Sequence, residues 1–198
     1  MADVKGDLSV KGHLDVRENA VFFKGVDTPY FEAVDQKNPG ILGGGAAAGT
    51  WVARDLTVVI HNDFASEVNL SASAGDGADF TLPPGEYHIE ASAPAFNVGN
   101  HTTRLADITE SSSNDAPTVV LGTSEWTLHV DGTPAGEESV QTRSAVVGRF
   151  TLPSSSKLEL QHRIQNTDLI EGFGAGAGFY TVDNVYSVVR VWQIRSDS

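Results

Sequence analysis

The sequence predicts an all-β protein, a jelly-roll β-sandwich preceded by an extended N-terminal β arm. Three observations predict it. No run of ten or more residues carries the i, i+3, i+4 apolar spacing of an amphipathic helix, whereas short runs with a two-residue period recur. Clusters of Gly, Pro, Asn, Asp and Ser separate these runs. About eight such runs fill roughly 150 residues, a usual size for a two-sheet jelly roll.

The arm comes first. GDLSVKGHLDVR (6–17) is two hexads of Gly, polar, Leu, polar, Val, basic. Val4, Gly6, Leu8, Val10, Gly12, Leu14 and Val16 take the even positions and polar or charged residues the odd ones, so the ribbon has one narrow dry face. AVFFKGV (20–26) adds Phe22 and Phe23, and Tyr30 and Phe31 follow. Residues 1–36 are expected to form an attachment and trimerisation arm, with Val4, Leu8, Val10, Leu14, Val16, Phe22 and Phe23 making its contacts. Two hexads are too few to close a single-chain solenoid, and a lone ribbon leaves its edge unpaired. Copies from three chains, or a docking surface on another protein, would cover both the edge and the dry face. The alternative is that residues 3–17 add an edge strand to their own domain.

KNPGILGGGAAAG (37–49) is small and Gly-rich and reads as a linker, with enough Ala to pack against a neighbour instead. Residues 50–198 are expected to form the jelly roll. TWVARDLTVVIHN (50–62) reads as one strand. DFTLPPGEYHIEASAPAF (79–96) breaks at Pro83–Pro84–Gly85, with Pro84 suited to i+1 of a turn and Gly85 to i+2. Tyr87, Ile89 and Ala91 then resume the alternation, which Pro94 is expected to end. HTTRLADIT (101–109), TVVLGTS (118–124), EWTLHV (125–130), TRSAVVGRFTL (142–152), SKLELQHRI (156–164) and VYSVVRVWQI (185–194) supply the remaining strands, and GFGAGAGFY (172–180) is a loop.

The chain has 198 residues, of which 40% are hydrophobic, enough for a core. With 13 Lys and Arg against 26 Asp and Glu the formal net charge is −13. Such a surface repels polyanions, which argues against nucleic acid and anionic membranes as partners. There is no Cys, so disulfides and thiolate metal sites are excluded. No signal-peptide h-region and no membrane-length apolar run occurs, so synthesis in the cytoplasm and no membrane insertion are expected.

Signals for chemistry are sparse. His88–Ile89–Glu90 and His129–Val130–Asp131 put pairs of metal-ligating groups on one strand face, but a metal site needs at least three that converge. In a trimer a His on the axis would be triplicated, and His101 and His162 are the candidates for that. Turn-like GDGAD (75–79) and DGTPAGEE (131–138) lack the ligand spacing of an EF-hand. No Gly-x-Ser-x-Gly is present, and GFGAGAG does not fit a phosphate-binding Gly-x-Gly-x-x-Gly. Catalytic residues, metal and cofactors are therefore expected to be none. Trp51, Trp126 and Trp192 lie in strand-like runs and read as core or interface ahead of sugar-binding platforms. Phe96, Phe173, Phe179 and Tyr180 lie in or near loops and are the better candidates for contacts to a glycan or host protein.

The ordered series FTLPPGEYHIEASAPAF, HTTRLAD, TRSAVVGRFTL, LELQHRI, GFGAGAG and VYSVVRVWQI resembles a group of tailed-bacteriophage virion proteins. Their jelly-roll domains are similar to those of tumour necrosis factor and of complement and collagen-like globular heads. The hexads also resemble Gly-x-Leu-x-Val-x elements of phage fibre proteins. The resemblance implies a homotrimer around a threefold axis. It also implies a non-enzymatic virion surface protein, either a capsid decoration protein or a short head fibre held to the major capsid protein by its arm. The alternative is a tail-fibre or baseplate tip that binds a host receptor or glycan.

Overall fold

The computed structural model describes residues 28–64, 70–73, 77–112, 114–128, 140–179 and 181–196. They form a sandwich of two antiparallel sheets. The strands are β1 (Tyr30–Lys37), β2 (Val52–Ala53), β3 (Val58–Asn62), β4 (Leu70–Ser73), β5 (Gly77–Leu82), β6 (Gly85–Phe96), β7 (Asn100–Asp107), β8 (Thr118–Trp126), β9 (Gln141–Leu152), β10 (Ser156–Ile164) and β11 (Asn184–Ser196). One sheet runs β3-β1-β11-β6-β9 and the other β4-β5-β10-β7-β8, with β2 paired to β10. Sequence neighbours thus fall repeatedly in opposite sheets, and the first and last strands lie side by side, as a jelly roll requires.

Alternation explains the strands. In β5, Ala78, Phe80 and Leu82 turn inward while Gly77, Asp79 and Thr81 are half-exposed. In β6, Tyr87, Ile89, Ala91, Ala93 and Ala95 face inward. All but Ala95 meet Leu105, Val146, Phe150, Leu158, Leu160, Val189 and Val191 in the main core, and Ala95 packs with Ala46, Val98, Ile164 and Phe173 in a second cluster. Burying each large side chain there stabilises the fold by roughly 1.5–3 kcal/mol.

The structure moves four boundaries. Residues 30–36, expected in the arm, are most of β1, an interior strand between β3 and β11. Phe31 and Ala33 fill the core, so the sandwich begins at Tyr30 and not at Thr50. The 50–62 run is two strands, because Arg54 turns into the interior between β2 and β3. Pro94 does not end β6; the strand continues to Phe96, with Pro94 opposite Arg143 of β9. The runs 118–124 and 125–130 join into one strand, β8, which stops at Trp126.

Residues 37–49 are a strap laid against 168–174. Backbone bonds run from Gly43 N to Gly174 O (2.8 Å), from Phe173 N to Gly44 O (2.8 Å) and both ways between Ala46 and Asp168 (2.8 and 3.1 Å). A Cβ on Gly45 would lie 1.9 Å from Asp168 O, and one on Gly43 2.6 Å from Phe173 O. Only glycine permits this approach.

Candidate functional site

The predicted arm contacts Val4, Leu8, Val10, Leu14, Val16, Phe22 and Phe23 lie outside the described residues, as do Tyr180, His13, His129 and Asp131. The four loop aromatics separate. Phe96 ends β6 and lines a cavity of about 320 Å³ with Gln141, Ala175–Ala177 and Asp183–Tyr186, so the Gly-rich loop and Phe96 do meet. Phe179 is 67% exposed. Phe173 is only 5% exposed and belongs to the core, which corrects its assignment as a ligand contact. The strap glycines Gly43 and Gly44 pair with its backbone segment.

Phe173 is the centre of a polar brace. The Arg54 guanidinium lies 4.1 Å from its ring centroid on one face. The His162 ring stacks on it at 5.3 Å with 3° between planes. Arg54 is fully buried and donates from Nε to Ser187 Oγ (2.9 Å) and from Nη2 to the Phe173 carbonyl (2.8 Å). His162 Nε2 and His101 Nδ1 share a hydrogen bond of 2.9 Å, and His101 Nε2 meets Thr142 Oγ1 of the other sheet at 2.8 Å. Thr103 and Ser144 repeat that crossing one step along, hydroxyl to hydroxyl at 2.7 Å. The sheets are thus joined by apolar packing at one end and by hydrogen bonds at the other.

Electrostatics follow from this burial. Desolvation lowers His101 to about 4. Desolvation also drives His162 well below its ordinary value, aided by the Arg54 and His101 charges. Both imidazoles are neutral at pH 7. Neither can sit on a threefold axis of assembled chains, which corrects their candidacy as axial metal ligands. Among the described residues no three His, Cys, Asp or Glu side chains are placed to hold a metal ion. His61 pairs with Asp63 (2.7 Å) and His88 with Glu90 (3.4 Å), each a two-member surface pair. Beside the brace, Asp35 is fully buried; among the described residues neither carboxylate oxygen has a hydrogen bond, and Lys37 Nζ lies 3.6 Å from Oδ2 as an ion pair. Desolvation raises it to about 6, against the opposing pull of Lys37 and Arg54.

No protein-family model matches the chain, and no curated protein sequence matches it. Solved structures with a similar fold do. The globular domain of the zebrafish complement 1qA protein is 16% identical, covering 86% of this chain and all of its own, at a TM-score of 0.46. Murine APRIL is 9% identical, covering 85% of this chain and all of its own, at a TM-score of 0.48. The jelly-roll assignment stands on the strand order itself.

The outer face of the β3-β1-β11-β6-β9 sheet is a candidate interaction surface. Register lines up Tyr30, Trp192, His88 and Arg149 in one row across four strands. Tyr30 and Trp192 are 5.0 Å apart between ring centroids, and Trp192 and His88 5.7 Å. The next row is Glu32, Arg190, Glu90 and Val147, with Arg190 Nε donating to Glu32 Oε1 at 2.8 Å. Val147 is 59% exposed, and Val185 and Ile194 are exposed on the same sheet. Its edge strand β3 exposes Val58, Val59 and Ile60 in succession. A bare edge with three exposed aliphatics invites pairing with another chain. Sequence reasoning placed Trp192 in a core or an interface; its half-exposed ring in this row is what a subunit contact would use.

Proposed function

We propose that the chain is a non-enzymatic structural protein that works as a homotrimer and sits on the surface of a phage virion, as a capsid decoration protein or short head fibre. The segment before Tyr30 attaches it to the particle, with the major capsid protein as partner. The observation that carries the self-association is the aromatic and aliphatic outer face of the β3-β1-β11-β6-β9 sheet, which no described residue covers. Its charged row mixes signs, so copies can pair without net repulsion. The N-terminal hexads support the attachment role, because their Leu and Val face is not needed by a sandwich that closes its own core.

Sedimentation of the purified full chain tests the assembly. A trimer at micromolar concentration is expected, and Val147→Arg should dissociate it without unfolding it. A wild-type monomer would refute the reading. Labelling intact particles tests the location: signal on the head is expected, and signal confined to the tail would replace a head role with host attachment at a fibre or baseplate tip.

A further inference from the structure

The opposite sheet carries a cavity of about 480 Å³, lined by Gly49, Asn100, Thr102, Ser124, Arg163 and Gln165 among others. Its volume falls in the range of small-molecule sites. Three strands build it. Register sets Ser124 of β8 beside Thr102 of β7, and Thr102 beside Arg163 of β10. Next to this row the β7–β8 pairing slips, with Thr102 opposite Ser124 but Arg104 opposite Leu121, so β8 carries an extra residue. Such bulges re-aim side chains and mark functional sites.

Several polar groups of the cavity are unspent. Among the described residues the exposed Arg163 makes no hydrogen bond or ion pair, in a chain whose acidic groups outnumber basic ones two to one. The Thr102 hydroxyl is shielded from bulk water and has no hydrogen-bond partner among the described residues. Gln165 uses its carbonyl oxygen to accept from Asn100 N (3.0 Å) and Asn100 Nδ2 (2.8 Å). This fixes both amides and leaves Gln165 Nε2 as a free donor and Asn100 Oδ1 as a free acceptor. Outside the lining itself, directly opposite Asn100 on β8, stands Trp126, 55% exposed.

We propose that this cavity binds a carboxylated sugar, the carboxylate on the Arg163 guanidinium and the pyranose ring against the Trp126 face. A guanidinium meets a carboxylate through two parallel N–H···O bonds. The remaining groups decide between a sugar and a bare anion. Sulfate only accepts, so the Asn100 carbonyl oxygen would oppose it, and inorganic phosphate has just its one or two acid protons to donate. Sugar hydroxyls both donate and accept, which matches Asn100, Ser124 and Gln165. An exposed indole presents a flat apolar surface for the C–H face of a pyranose and has no use for an inorganic anion. The site lies on the sheet away from the proposed assembly face, so it does not rest on the trimer.

The test titrates the full chain with glucuronate, galacturonate and N-acetylneuraminate, with glucose and galactose as neutral counterparts and inorganic phosphate as a bare anion. Calorimetry and tryptophan fluorescence are the readouts. At least one acidic sugar should bind saturably at about millimolar strength or better, a weak but measurable affinity. Its neutral counterpart should bind about tenfold more weakly. Arg163→Gln should remove that preference, and Trp126→Ala should weaken binding of acidic and neutral sugars alike. Both residues are exposed, so thermal melts of the variants should match wild type. No saturable response to any acidic sugar would overturn the proposal. So would unchanged binding by Arg163→Gln, or phosphate binding as tightly as the sugar.

Discussion

Replacing Asp35 with Asn should remove one component of the protein's pH-dependent stability, a component that runs opposite to usual acid denaturation. Asp35 is buried, with no hydrogen bond to either oxygen among the described residues, and its carboxyl is raised from 3.8 to about 6 by desolvation. A raised folded-state value means the native state holds a proton that the unfolded chain releases. The stability it contributes is complete below pH 3.8 and is lost as pH rises through 6. At about 1.36 kcal/mol per pH unit, the move from 3.8 to about 6 is worth about 3 kcal/mol. Asn mimics the protonated form at every pH. The variant-minus-wild-type difference in unfolding free energy should therefore rise by about 3 kcal/mol between pH 3.5 and pH 8. That difference removes the contribution of His101 and His162, which runs the other way: their lowered values cost stability as pH falls below 6.5. Urea unfolding of the full chain across this range measures it. Parallel curves for the two proteins would refute the reasoning. A variant that grows less stable towards pH 8 would do the same, since it would make the Asp35 charge a net asset beside Arg54.

Two further substitutions probe the same end of the molecule. Arg54→Met should lose about 3–5 kcal/mol in urea unfolding, because it strips a buried cation from Ser187, the Phe173 carbonyl and Asp35; adding Asp35→Asn should recover part of that loss, a coupling that a double-mutant cycle reads directly. Gly45→Ala should lower stability by about 1–3 kcal/mol, since the new Cβ has no room beside Asp168 O, and a melting temperature equal to wild type would show that the strap does not depend on that close approach.

The long strands were legible because their inward residues are apolar at every second position: Phe80 and Leu82 in β5, Tyr87 and Ile89 in β6, Leu158 and Leu160 in β10. β1 was hidden because its inward set is Phe31, Ala33 and then Asp35, and a carboxylate on the core side breaks the pattern a reader follows. Arg54 concealed the break in the 50–62 run for a related reason. A charged residue inside an alternating run normally marks the wet face, and here it marks the driest point of the interior. Phe173 was misplaced because flanking glycines signal a loop, whereas its ring is enclosed by Arg54 and His162 from distant parts of the chain. The Arg163 cavity could not be read at all. Ser124, Thr102 and Arg163 are scattered along the chain, and only the pairing of three strands sets them in a line.

The pairing of β1 with β11 has a consequence for how the molecule forms. Tyr30 lies opposite Trp192 and Gln193 N bonds to Pro29 O, so the sheet is stitched from residues more than 150 positions apart. During synthesis β1 leaves the ribosome early and waits, with Phe31 uncovered, until almost the entire chain has followed. Closing so long a loop is slow and late, and the bare strands meanwhile are open to neighbouring nascent chains. Rapid release of complete chains, at a temperature that slows aggregation, should therefore govern yield more strongly than any single stabilising substitution.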